Sequence, residues 1–285
     1  MLKPKPTRKT IRFMELNKSV KRPILHYLGG KWLLAKDVVK HFPPHRAYVE
    51  PFGGAANILL RKPISELEVW NDLDQNLLNL FMVIRERFDD FKKACENTLY
   101  SESEMFYAYN TMFEGDEVER ARKYAFHSIA AFGSQSKLAK RGFRIARFID
   151  ANARIKDMPG QWKRYVENLE SVRDRLKNVL ILSRDAFSIF DKFDTSETLW
   201  HIDPPYVLSS RRTPQNAAYN FELSNDMHIK LMERIKRLKG YVVLSGYDND
   251  IYKKYLENWK VEHVKARNMA VCEATETLWI NRQAA

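Results

Sequence analysis

The sequence predicts an open α/β sheet with helices on both faces and an inserted helical lobe. Three observations carry this reading. Short β-compatible runs stand at 47–49, 68–70, 179–182, 199–202, 241–245 and 277–281, and helical apolar spacing separates several of them. Residues 88–175 interrupt the alternation with a helical pattern alone. Two runs also end in turns foreign to a sheet interior, "EPFGG" after residue 49 and "DPPY" after residue 202.

The elements follow in order. "HYLGGK" turns at Gly29 and Gly30 into a helix over 31–40. "AYVEPFGGAANILLRK" reads as a strand, a Gly-rich turn over 50–54, and a helix over 55–61. A strand over 68–70 and a helix from about Asp74 complete a β-α-β unit with an acid at the end of each strand. After the insert, Ser224 is a plausible cap and Gly240 a plausible stop for one helix. Another helix near 249–258 leads into "WKVEHVKA", an edge strand, and Trp200 and Trp279 belong to the sheet core. The expected division is a basic tail over 1–22, a sheet domain over 23–87 and 176–285, and the insert over 88–175.

Composition bounds the function. The 285 residues are 45% hydrophobic and 12% aromatic, ample for a buried core. No run approaches the ~20 apolar residues of a membrane span, and the basic N-terminus lacks a signal peptide's apolar stretch. Cys95 and Cys272 lie far apart without a C-x-x-C, so reduced thiols in a cytosolic compartment are expected. His41 and His45 have ligand-like spacing, but Pro43 and Pro44 break any helix between them, and no metal is expected. The net charge of +12 is concentrated. Residues 1–23 hold eight basic side chains against Glu15 alone, and residues 137–164 hold nine against Asp150 and Asp157. A near-neutral body with two basic segments suggests a polyanion partner; a solvated tail and an ordinary basic helix are the plainer alternative.

Two turns carry chemistry. In "EPFGGAA", Gly53 and Gly54 let the backbone approach a ligand closely, a degenerate form of the dinucleotide fingerprint. Asp72 ends the next strand about twenty residues on, where an acid accepts hydrogen bonds from ribose hydroxyls. Glu50 would repel a pyrophosphate but suits a ligand bearing an amino group. An adenosine carrying an amino acid fits better than NAD or ATP, and S-adenosylmethionine is such a ligand. In "LWHIDPPYVL" the prolines end the strand and leave Asp203 at its carboxyl end, the edge where open α/β sheets bind ligands.

"HYLGGK", "VEPFGGAA", "ND", a helical insert, "DPPY" and "TETLWIN", in that order over about residues 23–282, resemble the Dam-type (D12 class) adenine-N6 DNA methyltransferases. The resemblance implies a Rossmann-like S-adenosylmethionine-dependent methyltransferase sheet, with the insert as target-recognition region. It implies that Tyr27, Lys31, Glu50, Phe52, Gly54, Asp72, Asp185 and Asp203 hold the cofactor. Asp72 would take the ribose and Asp185 the adenine ring. Asp203, Pro204, Pro205 and Tyr206 would form the catalytic motif. Ala56 stands where glycine is common, and "AAFGSQSKLAKRGFRIARF" does not match the recognition loop of GATC-reading enzymes, so the chain looks more like phage-type members and its target sequence is not carried over. The implied setting is the cytoplasm of a bacterial or phage-infected cell.

The chemistry expected of these residues needs no metal and no covalent enzyme nucleophile. Asp203 and the Pro204 carbonyl would accept the two N6 hydrogens of a flipped-out adenine and aim the nitrogen lone pair at the methyl group. Tyr206 would offer a stacking face. Lys137, Lys140, Arg141, Arg144, Arg211 and Arg212 are the candidate DNA contacts. The same motif suits any exocyclic amine, so cytosine N4 or RNA adenine stays open, as does a nucleic-acid-binding module with a vestigial cofactor site.

Overall fold

The computed structural model describes residues 15–133, 141–145, 157–211, 219–266 and 274–282. Its centre is a seven-stranded sheet built from β1 (Ala47–Glu50), β2 (Leu67–Asn71), β3 (Val179–Leu182), β4 (Thr198–Ile202), β5 (Tyr241–Gly246), β6 (Lys260–Ala266) and β7 (Ala274–Ile280). The strand order is β3-β2-β1-β4-β5-β7-β6. The first five strands pair in parallel, and β7 runs antiparallel between β5 and β6. The order reverses between β1 and β4, so the crevice at their carboxyl ends is the topological switch point where such sheets bind ligands.

Period-two alternation sends side chains into two cores, one on each face. Tyr48, Trp70, Leu199, Val243 and Leu278 face one core, while Val49, Val69, Trp200, Val242 and Trp279 face the other. The first core is covered by α1 (Ala35–Val39), α2 (Asn57–Arg61), α3 (Gln75–Glu86) and the insert helices α4 (Phe88–Glu96), α5 (Glu102–Asn110), α6 (Glu117–Ala130) and α7 (Met158–Leu176). The second is covered by α8 (Phe187–Phe193), α9 (Asn225–Ile235) and α10 (Asp250–Tyr255).

The helices start where side chains can satisfy their first amides. Asp74, Ser101, Asp116, Asp157, Ser224 and Asn249 each accept a bond from a backbone N–H of the first turn. Such caps are worth ~1 kcal/mol apiece. The insert shares its core with the sheet. Phe91, Phe126, Trp162 and Tyr165 join the cluster that contains Tyr48 and Trp70, and the Trp162 indole donates to the Cys95 carbonyl at 3.1 Å. Burial pushes the Cys95 thiol well above its ordinary pKa, so it packs as a small hydrophobe.

At the opposite edge from the crevice, Glu68 of β2 is buried between two cations. Lys62 Nζ donates to its Oε1 at 2.5 Å, and Arg175 of α7 forks onto both oxygens while donating to the Leu59 carbonyl at 2.6 Å. Burial, only partly offset by Glu68, lowers the Lys62 pKa to about 8. This cluster ties the end of the insert to the first β-α unit.

The sequence expectations need local correction. The helix expected over 31–40 is shortened to α1, because Leu34 supplies no capping side chain and Lys31 is drawn into the crevice. Gly240 does not stop α9, which ends at Ile235; instead a Cβ there would lie 2.5 Å from the Thr198 carbonyl, so glycine permits close strand packing. The last strand begins three residues earlier than expected, at Ala274. That shift brings Glu276 into the sheet.

Candidate active site

Four adjacent parallel strands deliver one acid each to the crevice. In sheet order β3-β2-β1-β4, these are Asp185, Asp72, Glu50 and Asp203, all lining one cleft of about 310 Å³. At ~4.8 Å per strand they span roughly 14 Å, a row suited to an elongated ligand. Asp185 stands at the exposed rim, where its Oδ1 accepts from the Phe187 amide. Asn71 Nδ2 donates to the Pro51 and Arg184 carbonyls, and its Oδ1 accepts from the Arg184 amide, locking the loops after β1 and β3 together.

Asp72 holds the Gly-rich turn. Its Oδ2 accepts from the Gly54 amide at 2.8 Å and its Oδ1 from the Asp74 amide at 2.9 Å. Burial raises its pKa to about 6, against the pull of those amides. The turn leaves no room for side chains at its tightest point: a Cβ on Gly53 would lie 2.1 Å from the Trp70 indole nitrogen. Ala56 adopts the left-handed region at φ 52°, a conformation that glycine takes without strain. Tyr27 and Phe52 line the same cleft.

Glu50 is buried and half satisfied. Its Oε1 accepts from the Tyr48 hydroxyl at 2.6 Å and the Leu59 amide at 3.1 Å, with His201 Nδ1 at 3.5 Å. Its Oε2 is buried with no hydrogen-bond partner. A buried carboxylate oxygen without a donor is costly, and the cleft offers it a place to receive one from a ligand. An ammonium group answers that need, so the donor set fits the amino-acid end of S-adenosylmethionine.

Asp203 sits in a four-membered network. Lys31 Nζ lies 2.6 Å from Asp203 Oδ1 and 2.6 Å from the Tyr206 hydroxyl, with Glu276 Oε1 at 4.0 Å. Tyr206 reaches Glu276 Oε2 at 2.7 Å and Asp203 Oδ1 at 3.2 Å. Burial alone would lower the Lys31 pKa, but the Asp203 and Glu276 carboxylates outweigh it and raise the value. Burial raises the Glu276 carboxyl, against the opposing pull of Lys31 and the Tyr206 hydroxyl. Asp203 Oδ2 takes no hydrogen bond from any described residue.

Several expected roles are placed differently. The Tyr206 ring is 6% exposed, under the Lys31 ammonium and edge-on to Tyr247, so here it presents its hydroxyl to the network rather than a face to the cleft. Pro204 is buried beside it, and Pro205 lines the cleft. Arg211 is not free for a phosphate: it forks onto Glu222 and donates to the Tyr206 carbonyl. Arg144 is half-buried against His26 Nδ1 at 3.0 Å, and Arg141 is exposed. An antiparallel bridge between Ala131 and Phe143 brings Arg144 close to the end of α6. Lys137, Lys140 and Arg212 lie outside the described residues.

The sequence reading assigned no role to Glu276, His201, Tyr219 or Asn220. Tyr219 and Asn220 line the cleft from the segment before α9, and Asn220 Nδ2 donates to Asp74 Oδ2 at 3.0 Å. The buried His201 ring faces the cleft from β4 with no hydrogen bond to either nitrogen. Only its position two residues before Asp203, on the same side of the strand, could have pointed to it. Among the described residues, no group of three or more His, Cys, Asp or Glu could hold a metal, and no helix is long and apolar enough to cross a membrane.

Comparison with known proteins bears on this site. Residues 27–270 match the family described as D12 class N6 adenine-specific DNA methyltransferase. The DNA adenine methylases of Salmonella typhi and Escherichia coli (strain K12) are each 23% identical over 258 residues, covering 86% of this chain and 88% of theirs. That of Haemophilus influenzae is 22% identical over 261 residues, 86% of each chain. The rRNA methyltransferase aviRa from Streptomyces viridochromogenes covers 88% of this chain and 85% of its own at 12% identity, with a TM-score of 0.37. The family match spans nearly the whole described sheet and the insert: the chain belongs to the D12 class N6 adenine-specific DNA methyltransferases.

Proposed function

We propose that Asp203 and the Pro204 carbonyl are the acceptors that grip the amino group of the target adenine. The chain is a DNA adenine-N6 methyltransferase that uses S-adenosylmethionine. One observation carries the assignment: Asp203, with Oδ2 unengaged, opens into the same cleft as Asp72 and the orphaned oxygen of Glu50.

The cofactor supplies an electrophilic methyl group on a sulfonium, a good leaving group. The protein's task is therefore to bind and orient. Glu50 takes the ammonium, Asp72 the ribose hydroxyls and Asp185 the adenine edge, in the order in which their strands stand. Lys31 holds the Asp203 side chain in place through its 2.6 Å contact to Oδ1. Two acceptors on one amine make its nitrogen more tetrahedral and direct the lone pair outward, while the prolines stiffen the backbone that carries one of them. A paired adenine hides this amine, so the base enters the cleft flipped out of the duplex. Tyr27, Phe52, Phe187, Tyr219 and Phe221 on the cleft wall offer flat surfaces to it and to the cofactor.

The insert over 88–175 with its basic segment is the DNA-facing part of this reading, and Arg141 and Lys163 are exposed cations of that segment among the described residues. Acting on DNA inside a bacterial or infected cell, the protein would work in the cytoplasm. The decisive experiment pairs Asp203→Asn with the parent protein in methyl transfer from labelled cofactor to duplex DNA, followed by digestion to nucleosides. The expected result is methyl on adenine N6 for the parent and turnover lost in the variant, with folding kept. Label on cytosine alone, or normal turnover by Asp203→Asn, would refute the assignment.

A further inference from the structure

Strand direction places Glu276 where its position in the sequence does not suggest. The parallel strands end at the crevice, but β7 runs the other way and therefore begins there. Its residue Thr277 pairs with Gly246, the last residue of β5, so Glu276 lies just beyond the carboxyl end of that strand. The side chain is buried and meets Tyr206 and Lys31 from the side opposite the cofactor acids.

The Tyr206 hydroxyl has one proton and two acceptors in reach. Its oxygen already receives the Lys31 ammonium at 2.6 Å, so that proton must point to Glu276 Oε2 at 2.7 Å or to Asp203 Oδ1 at 3.2 Å. The shorter contact takes it to Glu276. Were that acceptor absent, the proton would turn to Asp203. The carboxylate would then share its charge with a second donor and become a weaker acceptor for the substrate amine.

We propose that Glu276 is a positioning residue for methyl transfer, which takes the Tyr206 proton and so keeps Asp203 free to accept the adenine amino hydrogen. This rests on Asp203 being that acceptor. Glu276 is not among the residues lining the cleft; it acts through the tyrosine hydroxyl. Its effect belongs to the chemical step, and substrate affinity should be left nearly unchanged.

The test is a double-mutant cycle in single-turnover and steady-state transfer with the full chain, using Glu276→Leu, Glu276→Gln, Tyr206→Phe and Glu276→Leu combined with Tyr206→Phe. Glu276→Leu is expected to lower kcat by about 10- to 100-fold, the worth of one hydrogen bond to a charged group, with KM for cofactor and DNA within about twofold. Glu276→Gln, which retains an acceptor oxygen, should recover most of that loss. In the Tyr206→Phe background there is no proton to misdirect, so Glu276→Leu should cost less than about twofold more. The inference is overturned if kcat of Glu276→Leu stays near the parent value. It is equally overturned if the loss persists undiminished with Tyr206→Phe, or if Glu276→Gln binds cofactor normally yet fails to recover. Asp203→Asn measured alongside separates the two claims. Normal turnover there removes the Asp203 reading itself, whereas a dead Asp203→Asn with an indifferent Glu276→Leu removes only the role of Glu276.

Discussion

Lys31 Nζ and Asp203 Oδ1 stand 2.6 Å apart although 172 positions separate them in the chain. The lysine belongs to the segment before α1, the aspartate to the end of β4, and both line the cleft at the switch point of the sheet. Lys31 is 3% exposed, so the attraction is weakly screened by solvent.

Lys31→Met should therefore lower kcat by on the order of 10²-fold, the cost of removing one preorganised charged donor. Cofactor binding should change much less. Rapid-quench transfer assays with saturating cofactor would show it, and an unaltered rate would place the ion pair outside the mechanism.

Removing the orphaned oxygen of Glu50 tests the ammonium site. Glu50→Gln should weaken S-adenosylmethionine binding by about 10- to 100-fold, one charge-assisted hydrogen bond. Methylthioadenosine, which lacks the amino-acid end, should bind parent and variant alike. Calorimetric titration of both ligands distinguishes loss of this contact from general damage to the cleft.

The Asp72 carboxyl titrates at about 6 in the fold, above the ordinary value of 3.8. A raised carboxyl stabilises the fold fully below 3.8, and that contribution is lost as pH rises through about 6. Ligand binding has the opposite sign, because ribose hydroxyls donate best to the ionised form. Cofactor affinity should fall as pH drops below about 6, and Asp72→Asn should bind weakly with this dependence flattened. Dissociation constants measured between pH 5 and 8 would check both, taking the range over which ~1 pH unit on either side resolves a titration.

Gly53→Ala should abolish cofactor binding. A methyl group there would meet the Trp70 indole at 2.1 Å, and that indole donates to the Gly54 carbonyl at 3.2 Å. The turn and Trp70 cannot both keep their places. Equilibrium dialysis should find no binding, and a variant that binds normally would show that the turn yields without consequence.

Glu68→Ala should destabilise the fold by about 3–5 kcal/mol, because it leaves the Arg175 guanidinium buried without its carboxylate and removes the acceptor that sustains the buried Lys62 ammonium. Urea unfolding followed by tryptophan fluorescence reads this directly. The cluster lies at the edge of the sheet opposite the crevice, so a fold that survives should keep its cofactor affinity.

Much of the architecture was open to a reader of the sequence, because its causes are local. Short continuous apolar runs at 47–49, 199–202 and 241–245 suit strands buried on both faces, and all three stand in the sheet. Prolines after Asp203 end β4 whatever surrounds them, and Ser224 caps α9 through its own third-following amide. The row of acids at 50, 72, 185 and 203 was likewise visible as strand ends. Partnerships were not visible, since they depend on strand order and direction. Only the fold could decide that Glu276 stands near the start of an antiparallel strand at the crevice, that Glu222 occupies Arg211, and that Tyr206 turns its hydroxyl inward towards Lys31. Backbone periodicity is written in neighbouring residues, whereas the pairing of buried charges is settled by whichever distant groups the sheet brings within reach.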